Sequence, residues 1–481
     1  MTSISATVMI RREPSSFRDP SGTLYFHNNE LFRQINKGSQ EDYDLLLSSG
    51  LYDTLARKKK IVAHQEVNQP VFDPDSAYRI IKPERIRFIT YPYEWSFSQL
   101  KDAALLTLNL QKEALTCSMT LKDASAYNIQ FHAGHPILID TLSFTRYHEG
   151  DPWVAYKQFC QFFLAPLALM SLTDVRLGSL LRIHIDGVPL DLASNLLPAS
   201  SRLNPGITTH IHLHAAAQKR VSPDRITSGK KQSVSSNAML GLIENLEHVV
   251  RKLRWKPQNT DWVEYYESTN YTDHAFDQKK AIIRDLITEL SPGVLIDAGA
   301  NTGIFSRQAL HLKDCLIISA DIDPAAVERN YLQVREQRER NLLPLLIDLT
   351  NPSPAIGWHN EERISFLERT HADVVMALAL IHHLAISNNV PLSDIASLFT
   401  GMADYLILEF VPKEDSQVQR LLATREDIFP NYRLDSCKEA FGTLYDLVNE
   451  IPVPGTQRTI LLMQKRKPQN DRGFLSKGQK Q

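Results

Sequence analysis

Val294-Leu-Ile-Asp297-Ala-Gly299-Ala-Asn301-Thr-Gly303 runs an apolar segment straight into a turn that carries two glycines. The order predicts a strand, a glycine turn and a helix beginning near Ile304. Glycine at 299 lets the backbone approach a ligand with no Cβ in the way and permits positive φ. N–H groups at the start of a helix then offer donors to a bound carboxylate or phosphate.

Outward from this turn, short β-rich runs alternate with longer amphipathic ones. The strands are expected at Val294–Asp297, Cys315–Asp321, Leu343–Asp348, Asp373–Leu378, Tyr405–Phe410 and Thr459–Gln464. Ahead of them, 238–253 and 276–290 place apolar residues at helical spacing, as in Leu240, Ile243, Leu246 and Val250. Strand, helix, strand repetition implies an α/β architecture with a doubly wound, mostly parallel, Rossmann-like sheet.

A glycine turn after the first strand suits either a dinucleotide or S-adenosylmethionine. Asp297 separates the two, because a carboxylate there repels a pyrophosphate and attracts the ammonium of a methionine moiety. Eighteen residues after Gly303 the second strand ends in Asp321, the spacing at which an acid accepts hydrogen bonds from ribose hydroxyls. Ile322 follows it. The third strand ends in Asp348 and Leu349, suited to an adenine amino group and ring face, and Ala379 follows the fourth. A lone strand-end Asp is usually a solvated cap, but three at successive strand ends form a set. This stretch resembles the class I S-adenosylmethionine-dependent methyltransferases, whose D/E-x-G-x-x-x-G turn recurs here as Asp297, Gly299 and Gly303. Asn301 stands where that family often has a third glycine, and Asn tolerates the left-handed region.

Methyl transfer is an in-line displacement, so the protein must chiefly hold an acceptor atom behind the methyl carbon. The fourth strand runs into Ala379-Leu-Ile-His382-His383, at the sheet edge where ligands meet open α/β sheets. His382 and His383 are therefore candidates for orienting or deprotonating the acceptor. Packing under the cofactor and capping a short helix are the competing roles for the two rings. Glu409, closing the fifth strand, is a third candidate, with an ordinary strand-end acid as its alternative. Tyr271 is placed to cover the cofactor.

Residues 1–217 read as an α+β domain. Leu100–Ala114 has helical spacing, Leu24–Ile35 a β-hairpin, and Ile86–Trp95 a strand running into a hinge. Leu121-Lys-Asp123-Ala-Ser-Ala-Tyr-Asn128, followed by a hairpin ending in Asp140, resembles the catalytic loop and metal-binding Asp of protein kinases. The resemblance implies ATP and magnesium as ligands, with Asp123 accepting a hydroxyl proton and Asn128 and Asp140 holding the metal. The pattern departs from that family in lacking a G-x-G-x-x-G loop, in Asp140-Thr-Leu replacing D-F-G, and in having no V-A-I-K lysine. Arg33 or Lys37 is the candidate to stand in for that lysine, and the competing reading takes Asp123 and Asn128 as turn residues and Asp140 as a strand end.

Phe17-Arg-Asp-Pro-Ser-Gly22, Ser48-Ser-Gly-Leu-Tyr52, Tyr91-Pro-Tyr-Glu-Trp-Ser-Phe97 and Pro152-Trp-Val-Ala-Tyr156 are similar to bacterial nodulation-protein-like methyltransferases over nearly the whole chain. That likeness implies a two-part protein acting on an undefined acceptor. Composition and periodicity divide the chain into an N-terminal domain (1–217) expected to recognise substrate, a linker (218–237), a methyltransferase domain (238–467) and a tail expected to be disordered (468–481). The linker carries Lys219, Arg220, Lys230, Lys231 and a run of serines, and the tail is nearly devoid of apolar residues.

The 481 residues exceed one average core. Hydrophobic residues make up 43% and charged residues 22%, ordinary for a folded chain. With 53 basic against 55 acidic residues, net charge does not point to bulk nucleic-acid binding. Four dispersed cysteines form no CxxC pair, and neither a signal peptide nor a membrane span is legible, so a cytoplasmic protein with reduced thiols is expected. The expected activity is methyl transfer from S-adenosylmethionine to an unidentified small molecule, glycan, RNA or protein. The alternative is a kinase-like ATP-binding protein or phosphotransferase whose second domain is a sensor or scaffold.

Overall fold

The computed structural model describes residues 10–220, 233–257, 273–423 and 425–467. Tyr271, most of the linker and the tail lie outside them.

The chain groups into two compact units. One comprises Met1–Tyr265, Asn301–Gly303 and Ile318–Arg369; the other comprises Tyr266–Ala300, Ile304–Ile317 and Thr370–Gln481.

The first unit opens with β1 (Ile10–Arg12), β2 (Gly22–His27), β3 (Glu30–Asn36), β4 (His64–Glu66) and β5 (Ala77–Pro83), in the sheet order β1-β2-β3-β5-β4. All its pairings are antiparallel. Asn28 and Asn29, at φ 52° and 63°, turn the expected β2–β3 hairpin, since a two-residue loop needs positive φ to match strand twist. One hydrophobic cluster gathers Tyr25, Phe32 and Ile80, and another Ile35, Tyr43, Ile81 and Leu142.

No strand forms at 86–90. The strand is β5, just upstream, and the following backbone is satisfied by a side chain instead of a ladder. Thr90 N–H donates to Gln130 Oε1 at 2.7 Å and Gln130 Nε2 donates back to Thr90 O at 2.9 Å.

Helix α1 (Phe97–Thr116) starts at a capping box, Ser96 N–H donating to Gln99 Oε1 at 2.9 Å. Helix α2 (Ser236–Lys252) packs on it through a buried stripe that includes Met239, Ile243, Leu246 and Val250. Strands β6 (Met119–Leu121) and β9 (Phe144–Arg146) pair, and β7 (Ile129–His132) and β8 (His135–Leu138) form the hairpin expected between Asn128 and Asp140.

The second unit contains α3 (Asp273–Leu290), β10 (Val294–Ala298), β13 (Ala372–Ala377), α5 (Leu392–Met402), β14 (Ala403–Phe410), β15 (Tyr445–Pro452) and β16 (Thr459–Lys465). Strand β11 (Leu316–Asp321), helix α4 (Pro324–Gln337) and strand β12 (Leu342–Leu346) lie between β10 and β13 in sequence. The seven strands make one sheet, ordered β12-β11-β10-β13-β14-β16-β15. β13 pairs in parallel with both β10 and β14, while β16 is antiparallel to β14 and β15. The fold is thus α/β with a mixed sheet.

Within the first unit, α1 is bonded to the α4–β12 stretch by buried polar contacts. Glu328, 2% exposed, accepts from Ser98 N–H at 2.9 Å and Ser98 Oγ at 2.5 Å, and Gln99 Nε2 donates to Pro344 O at 3.1 Å. Tyr331 donates its hydroxyl to Asp102 at 2.8 Å, and Arg369 pairs with buried Glu94. No described helix is long and apolar enough to cross a membrane.

Candidate functional site

The turn after β10 takes the backbone form that its residue types predict. Gly299, Asn301 and Gly303 have φ of 77°, 52° and 79°. A Cβ at 299 would stand 3.1 Å from Leu380 Cδ1, so glycine serves both conformation and space. The helix expected near Ile304 is reduced to a 3-10 turn, Ser306–Ala309. The three left-handed residues so close ahead of it interrupt the run of right-handed φ/ψ that an α-helix needs to nucleate.

In the first unit, Asp321 closes β11 and is tied to the turn by backbone. Its Oδ2 accepts Asn301 N–H at 2.6 Å and its Oδ1 accepts Asp323 N–H at 2.8 Å. Burial raises this carboxyl to about 6, against the pull of those two bonds. A carboxylate offers about four lone-pair sites, so acceptor capacity remains beyond these N–H groups. Ile322 beside it is 56% exposed, an apolar side chain left toward solvent at a strand end. Asp348 and Leu349 sit just beyond β12, whose last residue is Leu346. Asp348 Oδ1 accepts both Thr350 N–H at 2.8 Å and Thr350 Oγ1 at 2.6 Å, an Asx-type turn that fixes the carboxyl.

In the second unit, Asp297 is 2% exposed and accepts Ser306 Oγ at 2.6 Å. Ala379, just past β13, has φ of 51°, a strained value for a residue with a Cβ. His382 is fully buried, and neither ring nitrogen has a hydrogen-bond partner. Burial, then His383, Arg458 and Lys279, push its pKa well below the usual range, so the ring is neutral. His383 is half-buried, its ring centroid 4.1 Å from that of His382, and burial lowers it to about 4.

Glu409 is fully buried on β14, within 2.6 Å of Lys279 Nζ on α3 and 3.6 Å of Arg458. Arg458 Nε also donates to Asp415 at 2.8 Å. Burial lowers Lys279, opposed by the attraction of Glu409. Lys279, Arg458 and Ser306 belong to no motif that the sequence displays. Lys279 had a legible signal: it stands four residues after Ala275 and four before Ile283, both fully buried, so a charge there had to find a partner inside.

In the N-terminal part, Asp123, Asn128 and Asp140 are brought together. Asn128 Nδ2 donates to Asp123 at 3.0 Å and to Ser143 Oγ at 3.2 Å, and Ser143 donates to Asp140 at 2.6 Å. Arg33, on β3, reaches Asp140 at 2.7 Å and Asp19 at 2.5 Å. Asp123 also accepts Gln158 Nε2 at 2.7 Å and Ser125 N–H at 2.9 Å, and burial, then Asp140, raise its pKa. Among the described residues no group of three or more His, Cys, Asp or Glu has the arrangement of a metal site.

By fold and site the chain is an α/β protein with a mixed sheet and a glycine cradle at the carboxyl end of its first parallel strand. Over 455 residues, 93% of this chain and 95% of the other, it is 34% identical to nodulation protein NoeA of Rhizobium meliloti (strain 1021). The chain belongs to the family of that nodulation protein. No protein-family profile matches it.

Solved structures bear a partial likeness. The bifunctional kinase-methyltransferase WbdD shares 14% identity at a TM-score of 0.29, covering 40% of each chain. A SAM-dependent methyltransferase from Aquifex aeolicus gives 13% and 0.30, over 43% of this chain and 100% of that one. Magnesium protoporphyrin IX methyltransferase (ChlM) from Synechocystis PCC 6803, with bound SAH, gives 16% and 0.29, over 43% and 93%.

Proposed function

We propose that the chain is an S-adenosylmethionine-dependent methyltransferase. The observation that carries this reading is the cradle itself: positive φ at Gly299, Asn301 and Gly303, with the Asp321 carboxylate anchored to the cradle by the Asn301 N–H. Those residues fit the cofactor. Asp321 has acceptor capacity for ribose hydroxyls, and Asp297 supplies negative charge to attract an ammonium. Ile322, Asp348, Leu349 and Ala379 complete the proposed binding set. When bound, S-adenosylmethionine supplies an electrophilic methyl group on a sulfonium.

His383 is assigned to the acceptor. With a pKa near 4 it is neutral at physiological pH and a weak base, able to orient an acceptor through a hydrogen bond. This favours an acceptor atom that is nucleophilic without losing a proton first, on a small molecule, glycan, RNA or protein. His382, its ring centroid 4.1 Å away, packs against its neighbour. Glu409 acts through Lys279 and Arg458, holding β14 and α3 together.

Calorimetric titration of the full chain with S-adenosylhomocysteine tests the binding step. Saturable binding that is lost in Asp297→Ala supports the proposal, and no binding at millimolar ligand with an unchanged melting temperature overturns it. Isotopically labelled S-adenosylmethionine incubated with cell extract and the protein, read by mass spectrometry, identifies the acceptor and atom.

The phosphotransferase alternative draws support from Arg33 meeting Asp140, next to Asn128 and Asp123. The donor set does not fit magnesium as it stands, because Asp140 is committed to Arg33, Ser143 and Leu142 N–H, and Asp123 to Asn128, Gln158 and Ser125. ATP and magnesium binding abolished by Asp140→Ala would favour it.

A further inference from the structure

Among the described residues of the first unit, the buried donors without an acceptor include the Tyr93 hydroxyl, the Tyr127 hydroxyl and Arg363 Nε. Both tyrosines are 7% exposed, and the Arg363 side chain 15%. They belong to one cluster. The Tyr91 ring lies 5.6 Å from that of Tyr93 and 5.9 Å from that of Tyr127, and the Arg363 guanidinium sits over the Tyr127 ring at 4.3 Å. An unpaired buried donor costs the desolvation of that group, and three together are seldom tolerated without a use.

The charges around them are unequally served. Glu94 is paired with Arg369, and Glu362 with Arg18 at 3.1 Å. Arg363 donates from Nη1 to Glu362 O at 2.8 Å, while its Nη2 stands 3.9 Å from Glu362 Oε1, beyond a hydrogen bond. One guanidinium N–H and two phenols therefore present donors beside a cation whose carboxylate neighbours already have other partners. The complementary group is an acceptor-only anion. Phosphate and carboxylate both have that chemistry, and arginine favours each.

We infer that Tyr93, Tyr127 and Arg363 form a binding site for an oxyanion, phosphate or carboxylate, carried by a ligand of this protein. The site joins the N-terminal residues to the segment following β12, which supplies Arg363. It is independent of the methyl-transfer reading, since none of its residues belongs to the glycine cradle.

The test uses the full chain and two probes, inorganic phosphate and acetate, each titrated by calorimetry against sodium chloride at equal ionic strength. One of the two is expected to bind saturably, which distinguishes the phosphate from the carboxylate source. Tyr93→Phe and Tyr127→Phe, which keep the rings, should each weaken that binding about tenfold, the scale of a hydrogen bond to a charged group. Thermal melting provides a second readout: the anion should raise the midpoint of the parent chain and have a smaller effect on the Phe variants. Absence of saturable binding by either anion up to about 50 mM, a range well above millimolar affinity, overturns the inference. So does unchanged affinity in both Phe variants.

Discussion

If Asp321 holds the ribose of the cofactor, as proposed, affinity should depend on pH in a definite direction. Its carboxyl is held at about 6 by burial, while two N–H groups anchor it at the end of β11. Ribose hydroxyls donate to a carboxylate better than to a carboxylic acid, so bound cofactor lowers this pKa and binding releases a proton wherever the free site is protonated. Affinity is therefore full above pH 6 and falls below it. At about pH 5 roughly one site in ten is ionised, and affinity should drop about tenfold, equal to ~1.4 kcal/mol. The assay is calorimetric titration with S-adenosylhomocysteine between pH 7 and 5, a window in which the ligand's amino group stays protonated. His383, at about 4, titrates beneath that window, and burial holds His382 well below the usual histidine range. Asp321→Asn should bind more weakly by roughly ten- to a hundredfold at pH 7, having lost a charged acceptor, and its affinity should lose the step. A flat profile in the parent chain, or the same step in the Asn variant, would refute the assignment of Asp321 to the ribose.

Lys279→Met takes from fully buried Glu409 the ammonium 2.6 Å away, so it should cost about 3–5 kcal/mol in urea denaturation. Losing that ammonium disfavours the buried carboxylate, so the loss should be larger at pH 8 than at pH 5; Lys279→Met combined with Glu409→Leu should recover most of it. Ala379 at φ 51° makes a β-branched replacement costly, so Ala379→Val should lose at least ~2 kcal/mol, and Ala379→Gly should be neutral or gain up to ~1 kcal/mol by the same measurement. If His383 orients the acceptor while neutral, the rate of methyl transfer should show no rising limb near the ordinary histidine range. His383→Ala should lower kcat without creating one, in initial-rate assays across pH.

Much of the parallel part of the sheet was legible because its strands are buried on both faces and therefore spell continuous apolar runs ending in polar residues. The edge strand β15 was not. It has a single neighbour, its middle residues are exposed, and Leu447 and Val448 stand 47% and 53% open to solvent, so no core alternation marks it. The glycine turn was legible in its residue types, Asn301 included, whereas the missing helix after it depended on how three left-handed residues redirect the chain. The buried Lys279, Glu409 and Arg458 partners are far apart in sequence, and their pairing is a tertiary fact. Asp140 and Arg33 show the same limit: the acid stood in a recognisable pattern, but its bond to β3 came only with the fold.

The contacts from α1 to α4 and β12 bear on how such a chain is inherited. Cutting it in the serine-rich linker would leave Glu328 without the Ser98 donors that satisfy it, and Pro344 O without Gln99. A freely exchangeable cassette would carry its own complete interior; here part of the second half's polar interior is completed by the first. Gene fission or shuffling at that point is thus opposed by stability, and the two halves should descend together, consistent with a relative that matches across 93% of the chain.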